Sequence, residues 1–111
     1  MVSDAIVRHE ANANVIKMTG ELTGETVRQA LFIFNQACNQ NQDGFIFDFS
    51  DVDFVDSKGA GFLLGAKQKM SGKRRIILAA MPSQILAVLT RLMIAEQFKV
   101  CATVEEALKK M

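Results

Sequence analysis

Tryptophan and tyrosine are absent from this sequence, and proline and histidine occur once each. Nothing looks like a nucleophile–base pair: the lone histidine, His9, falls in a first strand and reads as a structural or solvent-facing residue. Cysteine is also scarce. Cys38 and Cys101 are the only two, too few for the framework that staples a small secreted domain. They read as two packed thiols in a reducing cytosol. No apolar run approaches the roughly 20 residues of a membrane span, and no basic-then-apolar leader opens the chain. The expected location is cytoplasmic. A strong excess of charge is missing too. The 13 basic and 12 acidic residues give a net of +1, which argues against nucleic-acid binding. The short basic run "KRR" at 73–75 reads as a solvated strand entrance, with a phosphate-binding patch as the alternative.

What is present is apolar material. Half of the 111 residues are hydrophobic and eight are phenylalanine, enough for one core without metal or disulfide support. The length suits a single domain over residues 1–111. The opening "DAIVRHEANANVIKMTGEL" alternates apolar and polar residues about a small polar turn, as two strands of a hairpin would. From Thr23 the period becomes helical, with Val27, Ala30, Leu31, Phe34, Ala37 and Cys38 on one face as far as about Gln40. Thr23 is placed to cap that helix, and Glu25 sits at its positive end. The polar "NQNQDG" at 39–44 then turns the chain.

"FIFDF" at 45–49 reads as a central strand covered on both faces. A second helix follows Ser57 to about Met70, where "SGK" ends it. "RIILAA" at 75–80 is another buried strand. Pro82 opens a third helix whose inward face is Ile85, Leu86, Leu89, Leu92 and Met93. "FKVCA" is a last short strand, and Thr103 with Glu106 forms a capping box for a terminal helix. The order β-β-α-β-α-β-α-β-α predicts an α/β fold: a mixed sheet with an antiparallel edge strand at the amino-terminal end and about four helices.

The stretch "DFSDVDFVDSKGAGFLLG" at 48–65 concentrates the chemistry. Asp51, Asp53 and Asp56 suggest a calcium loop, but Phe54 and Val55 fill positions such a loop keeps polar, and no closing glutamate follows. Asp48 suggests a phospho-accepting aspartate, but the companion acidic pair that would hold magnesium is missing. Asp48 then reads as a strand-end residue, with Asp51 and Asp53 shaping a turn. No metal and no cofactor is expected, and no glycine-rich phosphate loop supports a nucleotide-binding enzyme. Ser57 remains. It can cap the second helix, or its hydroxyl can carry a phosphate at a helix terminus that favours anions. On that helix Ala60, Leu63, Ala66 and Met70 form a core face. Gly61, Phe62, Gly65 and Lys69 fall largely on the other. That second face suits either a partner protein or a neighbouring element of the same chain.

These segments resemble the STAS domain, the family named for sulfate transporters and anti-sigma factor antagonists. "TGEL" at 19–22 is similar to the family's second strand and its exit. "FIFDFSDVDFVDSKGAGFLLG" is similar to its signature, and "RRIILAAMPSQILAVLTRL" and "VEEAL" to its later elements. The resemblance implies a non-catalytic binding module. It implies that Ser57 accepts a phosphate from a histidine-kinase-like serine kinase that doubles as an anti-sigma factor, and that a serine phosphatase removes it. The partner-facing residues it implies are Thr23, Asp56, Ser57, Lys58, Gly61, Phe62, Gly65 and Lys69. Thr23 stands where many members carry aspartate, and Ala60 where a bulkier residue is usual. The alternative is a scaffold that is not phosphorylated, part of a transport or stress-sensing assembly, in which Ser57 is only a cap.

Overall fold

The computed structural model describes residues 4–10, 13–38, 44–70 and 75–111. The expected turns within 39–43 and at 71–73, and the first two residues of "KRR", lie outside these. The described elements are β1 (Asp4–His9), β2 (Ala13–Leu22), α1 (Val27–Ala37), β3 (Gly44–Val55), α2 (Ser57–Lys69), β4 (Arg75–Ala79), α3 (Ser83–Arg91), β5 (Lys99–Cys101) and α4 (Val104–Lys109), with a short 3₁₀ turn at Ala95–Gln97. The five strands form one mixed sheet in the order β1-β2-β3-β4-β5. β1 pairs antiparallel with β2 at one edge, and the remaining neighbours are parallel. This is the mixed α/β architecture and element order predicted from the alternation of periods.

The two faces of the sheet are covered unequally. Ile16, Met18, Leu22, Phe45, Phe47 and Phe49 pack with residues of α1, α2 and α3 such as Phe34, Leu63 and Leu89. The opposite face is smaller: Val15, Ile46, Ile77 and Cys101 meet Val104 and Ala107 of α4. Cys38 packs against the first cluster and Cys101 belongs to the second. The side chains of β3 from Phe45 to Phe49 are therefore buried on both faces, as its near-continuous apolar run predicted. Among the described residues, no helix is long and apolar enough to cross a membrane.

Three expectations about the elements need correction. β3 does not end near Asp48, and Asp51 and Asp53 do not shape a turn. The strand runs on to Val55, paired with β2 as far as Leu22. β4 pairs with β3 only up to Asp48–Ala79, so the second half of β3 leaves one side toward solvent. Exposure rises accordingly, with only Val52 and Val55 buried and Ser50, Asp51, Asp53 and Phe54 exposed. Register shifts opposite Lys17–Thr19 and Gly20–Glu21 mark two irregularities in this half, the local twist that bulges give a projecting strand. Asp51 pairs with Lys17 at 3.1 Å across β2 and β3.

The first helix starts at Val27, after a lead-in turn over 24–26. Glu25 therefore lies in that turn rather than in the helix's first turn. The third helix ends at Arg91, so Leu92 and Met93 are exposed rather than inward. Met93 adopts a left-handed backbone (φ 61°). The amide of Ile94 donates to the Leu89 carbonyl and that of Met93 to Thr90, the paired bonds of a Schellman ending. That ending turns Ile94 back into the core and leaves its two predecessors outside. The terminal helix is capped as expected, with Thr103 Oγ1 accepting from the Glu106 amide at 3.0 Å.

Candidate functional site

The site forms where the carboxyl-terminal ends of β2 and β3 meet the start of α2. Asp56 leaves β3 in an extended conformation, and its amide donates to the Leu22 carbonyl at 3.2 Å. Its carboxylate then does two jobs. One oxygen accepts from the Gly59 amide at 2.7 Å and caps α2; the other accepts from the Gly24 amide at 3.3 Å. The residue thus ties the second helix to the turn that precedes the first. The Gly59 bond is the main reason its carboxyl titrates below the ordinary range. Partial burial opposes the shift, and the amides of Gly24 and Lys58 add to it.

The helix cap is therefore Asp56, not Ser57. Both residues are good caps by chemistry, but the cap position has a non-helical backbone, and Ser57 is already the first helical residue. Its exposed side chain is left out of the capping pattern. No hydrogen bond of the Ser57 side chain is present among the described residues. It lines a polar depression of about 550 Å³ together with Glu21, Thr23, Gly24, Glu25, Asp56 and Lys58.

Thr23 lines the depression and is held there by the buried Thr26. The Thr23 amide donates to Thr26 Oγ1 at 2.9 Å, and that hydroxyl donates to the Glu21 carbonyl at 2.6 Å. Thr23 Oγ1 accepts from the amides of Glu25 and Thr26, both at 3.3 Å. Thr23 therefore fastens the lead-in turn, while the formal cap of α1 is Thr26, which makes no side-chain cap bond. The aliphatic stem of Lys58 packs over Gly24. A Cβ built at Gly24 would lie 2.7 Å from Lys58 Cδ.

Close packing fixes the root of α2. A Cβ built at Gly59 would lie 1.9 Å from the Leu22 carbonyl oxygen, so the first turn of the helix rests directly on the end of β2. By contrast, Gly61 and Gly65 are exposed, and a Cβ at either would meet nothing within 4 Å. Among the described residues, no other element lies within 4 Å of where a side chain would begin at these two glycines. Of the eight residues expected to face a partner, Thr23, Asp56, Ser57 and Lys58 come together in the depression. Gly61, Gly65 and Lys69 lie on the exposed side of α2.

Phe62 is the exception. It is 8% exposed and belongs to the core. Its ring meets Phe34 at 6.0 Å and Phe47 at 5.7 Å, both edge-on, the favourable geometry for aromatic pairs. The helix has two packing neighbours, the sheet and α1, so its buried arc is wider than a one-sided pattern implies. A shallow groove of about 320 Å³ follows the α1–α2 seam, lined chiefly by Val27, Leu31, Phe34, Phe62 and Ala66, with Lys58 and Lys69 at its margin. Leu31, expected in the core, is 45% exposed at this groove. Glu21, Glu25 and Leu31 were not singled out as site residues in the sequence. Their signals were their positions beside Thr23 and one helical turn after Val27.

Asp51, Asp53 and Asp56 do not converge. Among the described residues, no three His, Cys, Asp or Glu side chains are placed to hold a metal ion together. His9 instead meets the buried Asn14, its Nδ1 lying 2.5 Å from Asn14 Oδ1, while Asn14 Nδ2 donates to the Ala37 carbonyl at 3.3 Å.

Comparison with known proteins places this geometry in context. The family model of the STAS domain matches residues 4–107. An anti-sigma factor antagonist from Mycobacterium paratuberculosis superposes with a TM-score of 0.89 at 17% identity, covering 97% of this chain and 92% of that one. The anti-sigma factor antagonist SpoIIAA in its unphosphorylated form gives 0.71 at 24% identity, with 96% of each chain covered. A sulfate transporter family protein from Wolinella succinogenes gives 0.80 at 13% identity, covering 93% of this chain and 87% of that one. Comparison with curated proteins finds no significant match.

Proposed function

The chain belongs to the STAS domain family, and on that premise we propose that it is a binding module of the anti-sigma factor antagonist kind, switched by phosphorylation of Ser57. The unphosphorylated form binds an anti-sigma factor that is also a serine kinase. The kinase phosphorylates Ser57 and binding is lost; a serine phosphatase restores it. The module has no catalytic chemistry of its own and acts in the cytoplasm as a single domain.

One observation carries this reading. The structural task that would explain a serine here, capping α2, is done by Asp56, and the Ser57 hydroxyl is left exposed at the helix start. A phosphate there would sit at the positive end of the helix dipole. It would not displace the Asp56 carboxylate, which already holds the Gly59 and Gly24 amides. It would instead project into a depression walled by Glu21, Glu25 and Asp56, with Lys58 as the one cation among its described lining residues. Adding about two negative charges to that surface changes its potential far more than its shape. Like charges brought together at an interface cost several kcal/mol.

The scaffold reading draws on the likeness to the sulfate transporter family protein and leaves Ser57 part of a constant interface. The two readings separate on Ser57→Ala and Ser57→Asp, measured by calorimetry against the cognate kinase. The switch predicts that Ser57→Ala retains binding and that Ser57→Asp weakens it tenfold or more, about 1.4 kcal/mol. Equal binding by both variants supports the scaffold.

A further inference from the structure

The two helices that form the α1–α2 seam depart from the charge balance of the chain as a whole. Thirteen basic and twelve acidic residues nearly cancel overall. Yet α1 and α2 together carry Arg28, Lys58, Lys67 and Lys69 and no acidic residue at all. Lys67 is engaged on the far side, donating to the Gln97 carbonyl at 2.7 Å and lying 5.6 Å from the centre of the Phe98 ring. Lys58 and Lys69 flank the apolar groove, one near each end of α2. Lys69 also bridges to Asn35 Oδ1 of α1 at 2.7 Å. The acids of this region, Glu21, Glu25 and Asp56, gather in the neighbouring depression around Ser57.

We propose that the α1–α2 groove receives an acidic amphipathic helix of a partner protein, its apolar side chains lying on Leu31 and Phe62 and its carboxylates meeting Lys58 and Lys69. This rests on the reading of α2 as the partner-facing helix and adds the chemistry of what docks there. Val27, Leu31 and Asn35 recur every four residues on α1, and Lys58, Phe62, Gly65 and Lys69 every three or four on α2. Such rows form the ridges between which a third helix seats. Gly61 and Gly65 keep that approach free of side chains. The two cations would steer an acidic segment toward the groove. Lys58 stands between the groove and the depression, and the acids around Ser57 would bar the segment from passing beyond it.

The test uses the full chain and two synthetic peptides. One is a leucine-faced helix with glutamate on its polar face; the other carries lysine in place of each glutamate. Binding is followed by fluorescence anisotropy and backbone amide shifts. The expected result is salt-dependent binding of the acidic peptide, with shifts confined to α1 and α2. It should weaken tenfold or more in the Lys58→Glu/Lys69→Glu double variant and in Leu31→Gln, a replacement at an exposed position that leaves the core intact. Equal binding of the two peptides, shifts elsewhere, or a dimer of the chain itself through this face would overturn the proposal. The two readings fail separately against the cognate kinase. Loss of binding in the groove variants with no effect of Ser57→Asp removes the switch and keeps the groove. The reverse pattern removes the groove and keeps the switch.

Discussion

Gly59 and the pair Gly61 and Gly65 lie on one helix, yet they face opposite demands. At Gly59 the backbone of α2 presses on the carbonyl of Leu22, with no room for a single carbon. At Gly61 and Gly65 a side chain would meet no described residue within 4 Å. A glycine inside a helix costs about 1 kcal/mol against alanine. At the root, that cost gives contact between a helix and a strand, and the contact sets where Ser57 stands. On the open face, no contact among the described residues offsets it. The same residue type therefore marks a fixed foundation in one place and a surface left bare in another. The bare face is the one we assign to a partner.

Substitutions can break this contrast. The largest effect is expected for Gly59→Ala. Its methyl group can be accommodated only by moving α2 away from β2, because the obstructing atom is backbone. The cost should be about 3 kcal/mol, at the upper end for overpacking, read as a lower midpoint in urea unfolding. An unchanged midpoint would show that α2 is not seated as described.

Asp56 comes next, since it ties the same root together. Its carboxyl is held below the ordinary range by backbone amides. The folded state therefore binds its proton more weakly than the unfolded chain does. The resulting stability is complete above about pH 4, the usual carboxylate value, and is lost as pH falls through the lower folded value. Asp56→Asn keeps a capping side chain but not the charge. It should lose no more than about 1 kcal/mol at neutral pH and show a flatter decline in stability below pH 4 than the parent. Parallel pH profiles for the two proteins would remove the charge from the account.

The smallest effect carries the opposite sign. Gly61→Ala and Gly65→Ala should each stabilise the helix by about 0.5–1 kcal/mol, visible as a raised Tm, while weakening partner binding. A gain in stability with binding untouched would leave the two glycines without a role at the interface.

The fold was readable because each element had a clear period. Alternation in the opening segment gave the hairpin, and the unbroken "FIFDF" gave a strand buried on both faces. The position of Ser57 at a strand–helix junction was readable too. The cap assignment was not, because Asp56 and Ser57 are adjacent and both suit the role. Backbone conformation decides between them, and no side-chain preference encodes it. Phe62 was misplaced because a period of 3.6 finds one apolar stripe, whereas α2 packs against both the sheet and α1. The length of β3 was hidden for a related reason. Asp51 and Asp53 look like turn residues until it is known that β4 stops at Ala79 and leaves that half of the strand half-open. Leu31 fitted the helical period of α1 but lies at the seam between two helices, a boundary that only the tertiary arrangement creates.

The central claim is that the Ser57 hydroxyl is an acceptor rather than a cap. Its most direct test is the intact mass of the protein purified from its native host, before and after phosphatase treatment, with the site mapped by fragmentation. A phosphatase-sensitive phosphate on Ser57 is the expected result. A chain that carries no phosphate under any growth condition, or one modified at another residue, would contradict it.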